Sequence, residues 1–154
     1  MLAATPIVDS IKKKLTAGQR DAARAIEITM RRAGVPEVVI KGAIVNAYRE
    51  SKLNPAAVGD NGHSWGLFQA NYKGAAAGVS HASVVLLEPV NATRNILHRA
   101  LFTPYGAPVL RAKDAVEAAE LWTRRVERPA DPDGQAAISR KLAADWWSDA
   151  DGTV

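Results

Sequence analysis

The sequence predicts a mainly α fold of several helices, with one small irregular or hairpin-bearing lobe. Three observations carry that expectation. Alanine-rich segments with apolar residues three and four apart occupy the chain before residue 50 and after residue 80. Between residues 53 and 78 this pattern gives way to Asn-Pro, Asp-Asn-Gly and Trp-Gly, the punctuation of tight turns. With 154 residues and no cysteine, the chain is expected to form one domain held by packing, since neither a disulfide framework nor a thiolate metal site is available.

The elements follow in order. Thr16 with Gln19 three residues later has the form of a capping box, and Ala22, Ile26 and Met30 recur four apart until Gly34, so a helix is expected over about residues 18–33. Pro36 suits the first turn of a second helix, in which Val39, Ala43, Ala47 and Glu50 share one face. Glu50 therefore closes an apolar stripe. In the lobe that follows, Trp65, Leu67 and Phe68 are the residues expected in strands, and the glycines at 59, 62 and 66 are expected to let the chain curl tightly. Helical spacing returns after Ser80, breaks near Pro89 and resumes through Ile96, Leu97 and Leu101, after which Pro104 and Pro108 mark a loop. Ala115, Ala118, Ala119, Trp122 and Val126 make one late apolar face, and Ile138, Leu142 and Trp146 another beyond a break at 129–133. Residues 149–154 read as a loose tail. The chain thus divides into N-terminal helices over 1–40, a helix end with the lobe over 41–72, and a helical remainder over 80–148.

Charge and motif content exclude several function classes. The formal charge of +4 and a pI near 9.6 favour an anionic partner such as nucleic acid, a membrane surface or a bacterial wall polymer. A DNA-binding module would concentrate its basic residues on one recognition helix, whereas here they are spread along the chain, so no nucleic-acid partner is expected. Residues 1–8 lack the basic and apolar regions of a signal peptide, and no apolar run approaches the roughly 20 residues of a membrane span. Synthesis in a cytoplasm without stable membrane insertion is the corresponding expectation. His63, His81 and His98 are too scattered for a metal spacing and no HExxH motif accompanies them, so neither a metal nor a cofactor is expected.

Glu50 is the residue with the clearest chemical potential. A carboxyl group at the end of an apolar helix face, where the chain opens into a loop lobe, is half desolvated, and desolvation raises a carboxyl pKa. Such a group can hold a proton and donate it to a leaving sugar oxygen. The competing reading is a solvated helix-end residue without a catalytic role.

The motif around Glu50 resembles a known signature. Glu50-Ser51, followed by "GDNGHSWGLFQAN" from Gly59 to Asn71, is similar to the pattern shared by goose-type lysozymes and soluble lytic transglycosylases: a Glu-Ser at a helix end, then Gly-Asp, a glycine turn and Gly-Leu-x-Gln. The resemblance implies a lysozyme-like domain in which the lobe forms one wall of the cleft. It further implies that Glu50 is the catalytic acid, that Ser51 helps fix the acid and the turn, and that Gln69 lines the substrate cleft. Two later stretches resemble the same group: "EPVNATRNI", Glu88 to Ile96, as helix placement, and "VERPADPDGQAAISRKLAA", Val126 to Ala144, which is similar to the closing segment of lysozyme domains from phage tail proteins and endolysins. The implied partner is cell-wall peptidoglycan, met by a monomeric phage endolysin or virion component.

The reaction class turns on a second carboxylate. An inverting hydrolase needs a base about 6.5–9.5 Å from the acid, whereas a lytic transglycosylase lets the substrate's own 6-hydroxyl attack. The goose-type pattern offers two aspartates; this chain has Asp60 at the first position and Asn71 at the second. Hydrolysis of the β-1,4 bond between N-acetylmuramic acid and N-acetylglucosamine is favoured, with Asp60 as base or water-positioner, although Asp60 also suits a plain turn residue. Asn71 can hold a water but not deprotonate it. His63 and Tyr105 complete the expected substrate contacts, Tyr105 because the lytic transglycosylases resemble this chain in a late cleft tyrosine near a Gly-Pro turn. Trp122, Trp146 and Trp147 read as core, Phe68 as buried, and Lys12–Lys14, Arg124, Arg125 and Arg128 as solvated faces.

Overall fold

A computed structural model describes the backbone of residues 6–151 and the side chains of residues 6–147. It is mainly α with a small three-stranded sheet, as the periodicity predicts. The chain opens with α1 (Ile7–Ser10) and a 3-10 turn (Lys12–Lys14), followed by α2 (Ala17–Arg32) and α3 (Glu37–Ser51). The lobe holds β1 (Val58–Gly59), β2 (Ser64–Trp65) and β3 (Ala70–Asn71), antiparallel in that order, with Val58 opposite Trp65 and Ser64 opposite Asn71. Then come α4 (Ala82–Val85), α5 (Pro89–Ile96), α6 (Ala107–Leu110), α7 (Ala115–Trp122) and α8 (Pro132–Asp151). Both α5 and α7 run into single π turns, Leu97–Leu101 and Thr123–Glu127.

The ends of α2 are made by local chemistry. Thr16 accepts from the Gln19 amide while the Gln19 side chain accepts from the Thr16 amide, which completes the capping box. At the other end Gly34 takes φ 80° and the Val35 amide donates to Met30, a Schellman closure. Buried Glu27 accepts from the amides of Ile7 and Val8 and pairs with Arg31, which fastens α1 onto α2.

α3 is the centre of the core. Residues 39 to 47 are all buried, including Asn46, so the helix is enclosed on every side rather than on one stripe. It packs most extensively against α7, which in turn packs on α8. Gly42 makes the α3–α7 approach possible: a β-carbon there would lie 2.9 Å from the Ala118 carbonyl carbon and 2.9 Å from the Ala119 nitrogen. One core cluster runs from Ile7 to Trp147, with Trp122 and Trp147 among its largest buried side chains.

Several local expectations change in the fold. Leu67 and Phe68 are not in strands. Both are buried in the turn between β2 and β3, where positive φ at Gly66 and Gln69 breaks the extended backbone and the Gln69 backbone amide donates to the Gly66 carbonyl. Pro36 is the N-cap of α3 instead of its first-turn residue. Pro108 lies in the first turn of α6, where its missing N–H costs nothing, so the loop begun at Pro104 is short. α8 continues through 149–151, since no glycine or proline follows Gly134 until Gly152, and 152–154 lie outside the described residues. Of the lobe glycines, Gly62 and Gly66 take positive φ but Gly59 is extended; its lack of a side chain serves the close approach of the Gln69 amide instead. Among the described residues no helix is long and apolar enough to cross a membrane.

Gly42→Ala tests the helix contact. In an open helix interior this change stabilises by up to about 1 kcal/mol. Here the added methyl meets backbone, so the expected outcome is a net loss of about 1–3 kcal/mol in urea denaturation.

Candidate active site

Glu50 is the penultimate residue of α3 and lines a cleft of about 600 Å³. Its side chain is 25% exposed. Burial raises its pKa above the ordinary carboxyl value, and this outweighs the lowering by the neighbouring Arg49 guanidinium. The same burial lowers the pKa of Arg49, against the opposing effect of Glu50. Desolvation thus dominates at both ends of the pair.

The chain leaves the helix sharply. Lys52 and Leu53 both take left-handed backbone conformations, at φ 55° each. Such residues persist only where their surroundings hold them, and here Leu53 is buried and the Lys52 amide donates to Tyr48 at 2.7 Å. The Ser51 hydroxyl lies 2.9 Å from the carbonyls of both Ala47 and Leu67. Ser51 therefore ties the helix end to the lobe, and not to the Glu50 carboxyl.

The remaining residues singled out from the sequence are divided by the lobe. Gln69 lines the cleft, with its amide nitrogen donating to the carbonyls of Ala57 and Gly66. Asn71 also lines the cleft and donates to Asp60 Oδ2 at 2.6 Å and Ser64 Oγ at 3.1 Å. Asp60 is exposed in the turn between β1 and β2, is not among the cleft-lining residues, and connects to the cleft through Asn71. His63 is likewise exposed and outside the lining, with its ring tilted on Tyr72 at 4.7 Å. Tyr105 lies at the cleft, with the Arg128 guanidinium 4.7 Å over its ring and its carbonyl accepting from Arg125. Phe68 packs on Trp122 at 5.6 Å between ring centres, and both border the cleft from the core side.

Two important residues escaped the sequence reading, Arg49 and Glu127. The side chain of Arg49 is 10% exposed and every guanidinium nitrogen is used: Nε donates to Ser139 at 3.1 Å, Nη1 to Gln135 at 2.5 Å, and Nη2 pairs with Glu50 at 3.0 Å and with Glu127. Glu127 lines the cleft at the end of the second π turn. That turn is closed by the Arg128 amide donating to Thr123, five residues back, and the widened turn accommodates the change of direction at left-handed Arg128. The visible signal was the Glu-Arg-Pro break at 127–129, a second glutamate closing an apolar helix face.

Behind Arg49 lies a buried polar cluster. Asn46 donates to the carbonyls of Gly42 and Ala119, and its oxygen accepts from Thr123 at 2.7 Å and Ser139 at 3.3 Å. The Thr123 and Ser139 hydroxyls are 2.7 Å apart. The line Asn46, Thr123, Ser139, Arg49, Glu50 thus runs from the core to the cleft. Arg125 and Arg128, expected as solvated faces, are exposed and also border the cleft, where they contact Tyr105, and Lys73 and Arg99 join them. Chemically the cleft offers one half-buried carboxyl suited to proton donation, a second carboxylate held by an arginine, and walls that are aromatic and cationic.

A family model described as phage tail lysozyme matches residues 21–150. No curated protein and no solved structure matches the chain.

The buried cluster predicts a stability effect. Asn46→Ala removes one donor to the Ala119 carbonyl and the acceptor of two sealed hydroxyls, so the expected loss is about 2–3 kcal/mol in urea denaturation.

Proposed function

Because the chain belongs to the phage tail lysozyme family, we propose that it is a peptidoglycan-degrading glycosidase in which Glu50 is the general acid. The observation that carries this reading is the placement of Glu50: a half-buried carboxyl on the wall of a polar cleft, raised in pKa by burial. A protonated acid can deliver its proton to the glycosidic oxygen as the bond to the N-acetylmuramic acid anomeric carbon breaks. Gln69 and Tyr105, both lining the cleft, then contact the glycan. The cationic rim of Lys73, Arg99, Arg125 and Arg128 attracts the carboxylates of the wall peptides. The place of action is the bacterial wall.

Hydrolysis of the β-1,4 bond is the reaction proposed, with Asp60 holding the attacking water. Asn71 directs both amide hydrogens at Asp60 and Ser64, so it orients the Asp60 carboxylate rather than replacing it. A second reading is favoured by one observation: Asp60 is exposed and outside the cleft lining. If no carboxylate reaches the water, Glu50 alone serves as acid and base, and the substrate's 6-hydroxyl closes on the anomeric carbon to give 1,6-anhydro ends.

Mass spectrometry of digested peptidoglycan separates the two, since reducing and anhydro ends differ by one water. Reducing ends are expected, together with a large rate loss in Asp60→Asn and little change in its stability. Only anhydro ends, with Asp60→Asn fully active, would establish the transglycosylase.

Glu50→Gln keeps the shape of the side chain and removes its proton; it should lose on the order of 10²-fold or more in release of soluble fragments while remaining folded by circular dichroism. Near-normal release by the folded variant removes Glu50 from the mechanism. In the wild type the acid works only while protonated, so activity is expected to fall as pH rises through the raised Glu50 pKa.

A further inference from the structure

Glu127 has a place that the general-acid mechanism does not use. Its side chain is 10% exposed, neither carboxylate oxygen accepts a hydrogen bond among the described residues, and its ion-pair partner is Arg49 Nη2. That same nitrogen is 3.0 Å from Glu50 Oε1. One guanidinium nitrogen therefore stands between the acid and a second carboxylate.

The surrounding charges make this arrangement consequential. On α3, Arg49 faces Glu50 directly. The end of the second π turn contributes Arg125 and Arg128, the lobe Lys73, and the first π turn Arg99, all lining the cleft. Asp60, on the lobe, is exposed outside the lining and held by Asn71. Among the charged residues that line the cleft, Glu127 is the acid accompanying Glu50; all the others are cations. Without it, every charge bordering Glu50 would favour the ionised carboxylate. A neighbouring cation at this range lowers a carboxyl pKa by about 1–3 units, enough to remove the proton that the reaction requires.

Resting on the assignment of Glu50 as the acid, we propose that Glu127 is a positioning residue acting through Arg49: it takes up the guanidinium's charge, so that Arg49 orients Glu50 by a hydrogen bond without stripping its proton. Arg49 is held for this task by Ser139 and Gln135 on α8, and its two carboxylate partners approach from α3 and from the π turn. The balance between two carboxylates on one guanidinium is then what leaves burial in command of Glu50.

The test is the pH profile of fragment release by the full chain and its variants on purified peptidoglycan. E127Q retains the size of the side chain and leaves Arg49 paired with Glu50, so no buried charge is stranded. Its alkaline limb should move down by about one pH unit or more, with activity kept at the acidic end, while E127D, which preserves the charge, keeps the wild-type limb. A loss in E127Q that is uniform across pH, with the limb unmoved, would mean that Glu127 is only a structural brace and overturns the proposal. Should E127Q fail to fold, R49Q and R49Q/E127Q carry the comparison: R49Q leaves the Glu127 charge facing Glu50 and raises the limb, and the double variant brings it back down. Equal limbs in those two variants overturn the proposal. E50Q separates the failures, since activity in E50Q defeats the acid assignment itself, whereas an inactive E50Q with an unmoved E127Q limb defeats this inference alone.

Discussion

The guanidinium of Arg49 is the interaction on which the rest of the site depends. A buried cation is tolerated only when its charge is matched and its donors are satisfied, and Arg49 meets both conditions by drawing partners from three elements. Glu50 comes from α3 itself, Glu127 from the π turn after α7, and Ser139 and Gln135 from α8. A planar fork of donors suits this task, where the point charge of a lysine does not. Docking of the last helix and placement of the Glu50 carboxyl are thereby a single event. The Asn46, Thr123 and Ser139 cluster extends this event into the core, where Gly42 lets α3 and α7 approach closely enough for Asn46 to reach the Ala119 carbonyl.

The lobe is held on a different basis. Its strands are only two residues each, too short to be stable on their own. Stability comes from side-chain hydrogen bonds: Ser51 to the Leu67 carbonyl and Gln69 to the carbonyls of Ala57 and Gly66, with Asn71 bridging the Asp60 and Ser64 side chains. These contacts hold an unusual density of left-handed residues, namely Lys52, Leu53, Asp60, Asn61 and Gln69. Backbone conformations of this kind gather where a chain must present particular groups at particular angles. Gly66 is the point of closest approach, since a β-carbon there would lie 2.0 Å from the Leu86 carbonyl oxygen. The turns that interrupt a helical chain thus fold a cleft wall back toward the end of α3.

Much of the fold was legible in the sequence because its causes are local. Capping chemistry at Thr16, the four-residue recurrence in α2 and the apolar face of α7 depend on neighbours within one or two turns. The lobe announced itself through glycine and asparagine punctuation, and Glu50 through its position at the end of a stripe. What local reading got wrong also has local causes. Leu67 and Phe68 have strand propensities, yet the positive-φ backbone at Gly66 and Gln69 turns the chain around them; Pro108 breaks helices in their interior but is at home in a first turn.

The sequence by itself therefore determined the helical class, the interruption at 53–78 and the prominence of Glu50, since each is encoded by residues close together in the chain. Only the tertiary structure decided what Glu50 faces. Arg49 meets Ser139 across 90 residues and Asn46 meets Thr123 across 77, and no periodicity reports such a meeting. Asp60, part of the recognised motif, lies outside the cleft lining, while Glu127, in a stretch to which no catalytic role was attached, lines it. The physical reason is that a motif specifies backbone turns within a short segment, whereas the charge around a carboxyl such as Glu50 is set by whichever side chains the packing of distant helices brings within a few ångströms.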